Sequence, residues 1–254
     1  MEFELERDLI NSYLKLRQQD LNTAKEFYFT EIMPRLRPSL ESSPEHLQLR
    51  EKKFETLVSL MGFSPETTVI CTLILRPRKL ALVYSSKAEE LFNVAIKYLI
   101  DNKILNFADV RHSVVESFDP ADIYDKLSGL IARQGTRVFD VTGGTKLMSA
   151  TAGYLAWEHG YALCYLDGQW DPKIGFAGLE QTSRLRLYTN PSQQQGYEIR
   201  GHGINLYAHG NFVAARKTFE QSRNRINDAA FEHLGIALSF DQLFDGQIEL
   251  AGVP

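Results

Sequence analysis

Three short stretches of the chain concentrate the residue types that bind phosphate. They are Met61-Gly62-Phe63-Ser64-Pro65-Glu66-Thr67-Thr68, Tyr84-Ser85-Ser86-Lys87 and Thr142-Gly143-Gly144-Thr145-Lys146. Each joins hydroxyls to glycine, to lysine or to both. Glycine lets a backbone come close to a ligand. Hydroxyls can donate to phosphate oxygens, and Lys146 and Lys87 add full charges. Where such a stretch runs into a helix, the free N–H groups and the dipole of the first turn attract the same anion. Each piece alone has a plainer role. Thr145 can cap its helix, Ser86 with Glu89 matches a capping box, and Gly143-Gly144 suits a tight turn. Three such loops at one edge describe a phosphate or nucleotide pocket.

Other chemistries fail in detail. A P-loop needs Gly-Lys-Ser/Thr, but Thr145 separates Gly144 from Lys146, and Leu147 follows the lysine. No G-x-G-x-x-G follows a strand, and no Ser or Cys sits in a nucleophile elbow. His46, His112, His159, His202, His209 and His233 form no metal-ligand pair on one helix face, so neither a metal nor a cofactor is expected. Asp140, just before the glycine turn, suits a hydrogen bond to that turn better than a base. Arg223, Arg225 and His233 read as a solvated helix face.

The elements that must position these loops follow from periodicity. The first fifty residues read as helix, with Leu5, Leu9, Tyr13 and Leu16 on one face and Ala24, Phe27, Tyr28 and Ile32 on another. Pro34 and Pro38 end that part, and Ser43-Pro44-Glu45 starts a new helix. Strands are expected at 54–60, 80–84, 110–115, 138–141 and 161–166, with helices between them. The alternation makes 67–75 the first crossover helix, although its β-branched residues favour strand, and implies a parallel sheet. Residues 168–183 are a Gly-rich loop, Leu185, Leu187 and Tyr188 suggest an edge strand, and 190–196 form a polar linker. Gly203, Leu206, Tyr207, Gly210, Phe212, Ala215 and Phe219 then resemble one tetratricopeptide-like helical hairpin. In an open sheet of this kind ligands bind beyond the carboxyl ends of the strands, where strand order reverses. All three loops lie on that rim. The expected organisation is a helical extension over 1–51, a Rossmann-like domain over 52–190 and a helical hairpin region over 197–254.

Composition sets the outer limits. The chain has 254 residues, 44% hydrophobic and 24% charged, with a formal net charge of −4. That is the ordinary globular mix. It disfavours coating of long nucleic acid, for which a basic surface is usual. Cys71 and Cys164, far apart in the sequence, suggest neither a disulfide framework nor a zinc site and fit a reduced cytoplasm. No signal peptide is visible at the acidic N-terminus. The longest apolar stretch, 67–75, is too short to span a bilayer, so no membrane partner is expected.

Gly62-Phe63-Ser64-Pro65-Glu66-Thr67 after a strand, then Tyr84-Ser85-Ser86-Lys87, then Asp140-Val141-Thr142-Gly143-Gly144-Thr145-Lys146-Leu147-Met148-Ser149-Ala150 resemble a CARF domain, the CRISPR-associated Rossmann fold. The likeness covers roughly residues 52–190 and is most specific in the last stretch. The flanking helices resemble those of CARF proteins of the Cas_Cas02710 kind. The resemblance implies an α/β, Rossmann-like, doubly wound, mostly parallel sheet. It implies a homodimer that binds a cyclic oligoadenylate of type III CRISPR signalling, tetra-adenylate by family frequency, across its twofold axis. Gly62, Ser64, Thr67, Ser85, Ser86, Thr142, Gly143, Gly144, Thr145 and Lys146 match the family's binding positions, with Lys87 a rim contact.

CARF sensors are usually coupled to an effector, often a HEPN ribonuclease with an Arg-x4-6-His motif. Here Arg225 to His233 has the wrong spacing, so the chain reads as a sensor that works alone or as part of a longer effector. The alternative is a ring nuclease that cleaves the cyclic ligand, with Lys146 stabilising developing charge and Ser64 or Thr145 positioning the ribose. An unrelated nucleotide-binding protein with helical partner-binding ends is the third reading.

Overall fold

Short apolar runs bounded by turns build the sheet. Its parallel strands are β1 (Thr56–Met61), β2 (Lys79–Ser85), β3 (Val110–Val115), β4 (Arg137–Asp140) and β5 (Ala162–Asp167). In the computed structural model, which describes residues 7–116, 118–131, 135–168, 170–171, 175–176, 184–191 and 197–223, two-residue strands β6 (Trp170–Asp171) and β7 (Gly175–Phe176) pair separately. The last strand, β8 (Arg184–Tyr188), closes the main sheet antiparallel to β5. The order is β3-β2-β1-β4-β5-β8. β1 therefore lies between β2 and β4, with Val58 opposite both Ala81 and Phe139, and Ser59 opposite Asp140. The chain leaves β1 toward one edge and β4 toward the other, which makes their carboxyl ends the switch point of the fold.

Helices cover both faces, as the alternation required. One face carries α5 (Pro65–Leu75) and α6 (Glu89–Asp101), and the other carries α7 (Pro120–Leu130) and α8 (Lys146–Glu158). The amphipathic spacing of Leu91, Phe92, Ala95, Ile96 and Leu99 turns one side of α6 inward. All eleven residues of α5 are buried. A helix buried on every side needs cover on every side, and the N-terminal helices supply it. α1 (Arg7–Gln19), α2 (Leu21–Phe27), α3 (Met33–Ser42) and α4 (Pro44–Arg50) share one core with α5 and α6, through Tyr13, Tyr28, Phe29, Ile32 and Leu36. Residues 1–188 form one compact unit.

Two local expectations change. Pro34 and Pro38 do not end the helical part, because Pro34 sits in the first turn of α3 and Pro38 within it. A π-turn over Tyr28–Ile32 precedes them, with the Met33 N–H reaching back to the Tyr28 carbonyl. This wider turn accommodates a residue that lacks an N–H and whose ring crowds the preceding turn. Ser86 and Glu89 form no capping box. Ser86 lies inside a 3-10 turn over Ser86–Ala88, and Ala88 holds the cap position of α6.

The unit over 189–254 contains α9 (Tyr197–Ala208) and α10 (Phe212–Arg223). They pack as the expected hairpin around Ala215 and Phe219. A Cβ on Gly203 would lie 2.6 Å from the Phe219 ring, so glycine permits the close crossing. Arg225 and His233, and most of the Gly-rich loop over 168–183, lie outside the described residues.

Candidate functional site

The loops after β1 and β4 touch at the switch point. A Cβ on Gly62 would lie 3.3 Å from the Gly144 nitrogen. One on Gly143 would lie 2.2 Å from the Leu60 carbonyl oxygen, so the glycine backbone rests directly on the end of β1. Gly144 has φ +77°, a backbone that side-chain-bearing residues rarely adopt. These contacts bring the first turns of α5 and α8 to one rim, and the loop after β2 adds Ser85, Ser86 and Lys87 beside them.

Buried hydrogen bonds hold this rim from below. Asp140 accepts from the Thr142 N–H at 2.9 Å and from the Ser59 hydroxyl at 2.7 Å. Ser59 in turn meets the Thr68 hydroxyl at 2.9 Å. The Thr142 hydroxyl accepts from the Leu166 N–H at 2.8 Å, and Ser149 donates to the carbonyls of Val141 and Gly143. β1, α5, β4 and β5 are thereby tied at one level. Asp140 is completely buried, and burial raises its carboxyl above the ordinary value, against the hydrogen bonds of Thr142, Ser59 and Cys71. It orders the turn from beneath and presents no surface at the rim. Cys71 and Cys164, distant in sequence, meet beside Asp140, where burial pushes the Cys71 thiol well up and Cys164 up as well.

The sequence-derived residues fall into two groups. Thr67 is buried and donates to the Ser64 carbonyl at 2.9 Å. Thr145 caps α8 by accepting from the Met148 N–H at 3.3 Å. With Thr142, Gly143 and Gly144, these residues build the turn. Ser64, Ser85, Ser86, Lys87 and Lys146 engage no side-chain partner among the described residues, and Ser86, Lys87 and Lys146 are exposed. They are the groups available to an anion, beside the N-termini of α5 and α8.

Several participants escape sequence reading. Glu66, in the first turn of α5, is 1% exposed and pairs with the equally buried Lys25 of α2 at 2.7 Å. Lys25 also donates to the Tyr13 hydroxyl at 3.1 Å. A glutamate inside an otherwise uncharged, fully buried helix is the available signal, since such a charge demands a partner. Phe63 on the rim is 58% exposed, as are Phe118 at 83% and Tyr154 at 62%.

No protein-family model and no curated protein matches the chain. Solved structures do. Csm6 of Enterococcus italicus, bound to cyclic hexa-2'-fluoro-hexa-dAMP, matches with a TM-score of 0.52 at 12% identity, over 76% of this chain and 55% of its own. The likeness is one of fold. The Rossmann-like architecture expected of a CARF domain is the one found. Can2 of Sulfobacillus thermosulfidooxidans, in complex with cyclic tetra-adenylate, matches more loosely, with a TM-score of 0.38 at 17% identity over 47% of this chain and 34% of its own. The chain thus spans about half and about a third of the lengths of these two proteins. No helix among the described residues is long and apolar enough to cross a membrane.

Proposed function

We propose that this chain is a cyclic oligoadenylate sensor of type III CRISPR antiviral signalling, a cytoplasmic CARF protein of the Cas_Cas02710 kind. It binds cyclic tetra-adenylate across the axis of a homodimer, and occupancy regulates an effector. The observation that carries this reading is the convergence, at one switch point, of two helix N-termini, Lys146, Lys87 and the unengaged hydroxyls of Ser64, Ser85 and Ser86. Each element attracts phosphate. The fold shared with an oligonucleotide-bound Csm6 supports the same reading.

A ring with an even number of identical units has a twofold axis, which an isologous dimer can match. Exposed aromatic rings at Phe118, just ahead of α7, and Tyr154, on α8, favour a second copy on the α7–α8 face. Between α7 and α8, Pro120, Tyr124, Ala150 and Tyr154 line an apolar groove.

Asp140 takes no part in either reading. The carboxylate next to the glycine turn is buried and hydrogen-bonded away from the rim, so a ring nuclease would act through Ser64 and Lys146 alone. Light scattering with calorimetry on the full chain tests the arrangement. A dimer taking up one cyclic tetra-adenylate per two chains is the expected result. A monomer binding one ring per chain would contradict it.

A further inference from the structure

The amino ends of the strands carry a second concentration of charge. Ahead of β1, β2 and β4 lies a cavity of about 450 Å³, within the ~300–1,000 Å³ range of small-molecule sites. Four cations line it, Arg50, Lys53, Arg76 and Arg78, against one carboxylate, Glu55. In a chain of net charge −4 this is a marked local excess.

Internal partners account for only part of that charge. Arg50 donates to the Ile74 and Leu73 carbonyls at 2.8 and 3.0 Å, closing the end of α5. Arg76 pairs with Glu41 at 2.5 Å, which leaves other guanidinium donors unused. Glu55 is already engaged by Lys79 at 3.2 Å. Lys53 and Arg78, both exposed, have no side-chain partner among the described residues. Burial first, and then the charge of Arg76, lowers the Arg50 guanidinium from its ordinary value, as crowded cations require.

The backbone points to the same place. Among the described residues only three that bear side chains have a left-handed backbone, and two of them, Lys53 at φ 50° and Arg76 at φ 49°, line this cavity. Arg76 holds the C-cap position of α5, where glycine would fit without strain. A cation stands there instead. Phe54 adds an aromatic wall.

We propose that this cavity binds a nucleoside polyphosphate. Lys53, Arg76 and Arg78 hold the phosphates, and the base lies against Phe54. The site is separate from the rim at the carboxyl ends, because the six residues of β1, at ~3.3 Å each, set the two about 20 Å apart.

Calorimetric titration of the full chain with inorganic triphosphate and with ATP tests the assignment. Both probes are expected to bind, ATP more tightly than triphosphate, and both more weakly as salt rises. Lys53→Glu/Arg78→Glu should weaken both probes at least about tenfold, whereas Lys126→Ala, an exposed lysine of α7 outside both sites, should leave triphosphate binding unchanged. The milder Lys53→Gln/Arg78→Gln pair must weaken binding in the same direction, which keeps the test open should charge reversal disturb folding. Absence of binding by the unsubstituted chain at about 1 mM probe would overturn the proposal. So would equal affinity in the double variants.

Discussion

The Lys25 ammonium lies 2.7 Å from the Glu66 carboxylate, with both side chains almost wholly removed from water. The pair fastens α2 to the first turn of α5, the turn that begins at the rim. Removing one partner leaves a buried charge without compensation and costs about 3–5 kcal/mol. Lys25→Met and Glu66→Leu should each lower stability in urea denaturation by that order. The double variant should lose clearly less than the two singles together, because the orphaned charge is gone.

Gly143 and Gly144 make a stability prediction that is separate from ligand binding. A Cβ at 143 meets the Leu60 carbonyl at 2.2 Å, and Gly144 has φ +77°. Alanine at either position should lower stability by about 1–3 kcal/mol, through overpacking at 143 and strain at 144. Thermal denaturation without ligand checks this.

Lys146 makes the opposite prediction. It is exposed and engages no partner among the described residues. Lys146→Ala should therefore leave the melting temperature unchanged. It should weaken cyclic oligoadenylate binding by about 1.5–3 kcal/mol, the worth of a charge-assisted hydrogen bond. Unchanged affinity would remove Lys146 from the site.

Asp140 supplies a pH dependence. Burial raises its folded-state value above the ordinary 3.8, so the folded protein holds this proton more tightly than the unfolded chain. Its contribution to stability is fully present below 3.8, and it is lost as pH rises through the folded value. Compared with Asp140→Asn, which does not titrate there, the unsubstituted protein should gain stability as pH falls through that window. Paired urea denaturations across the acid range measure the difference. A constant difference would contradict the raised value.

The sheet was legible because its signals are local. Apolar runs bounded by Gly and Pro, alternating with helical spacing, imply parallel strands and place the loops after β1, β2 and β4 on one rim. Propensity misleads over 67–75, where β-branched residues occupy a helix enclosed on all sides by the sheet and the N-terminal helices. Pro34 looks like a stop because the preceding π-turn leaves no mark in composition, and Pro38 because proline inside a helix breaks the usual rule. The Lys25–Glu66 pair and the meeting of Cys71 with Cys164 beside Asp140 join residues far apart in sequence, and only the packed fold makes those contacts. For the rim, residue types nominate the candidates. The division into hydroxyls that build the turn and hydroxyls left for a ligand needed the hydrogen bonds.

The most direct test incubates the purified full chain with cyclic tetra-adenylate and reads affinity and products from the same sample. A sensor predicts tight binding, one ring per two chains, with the ligand recovered intact. Absence of binding to any cyclic oligoadenylate would contradict the account, and recovery of linear fragments would contradict sensing in favour of cleavage.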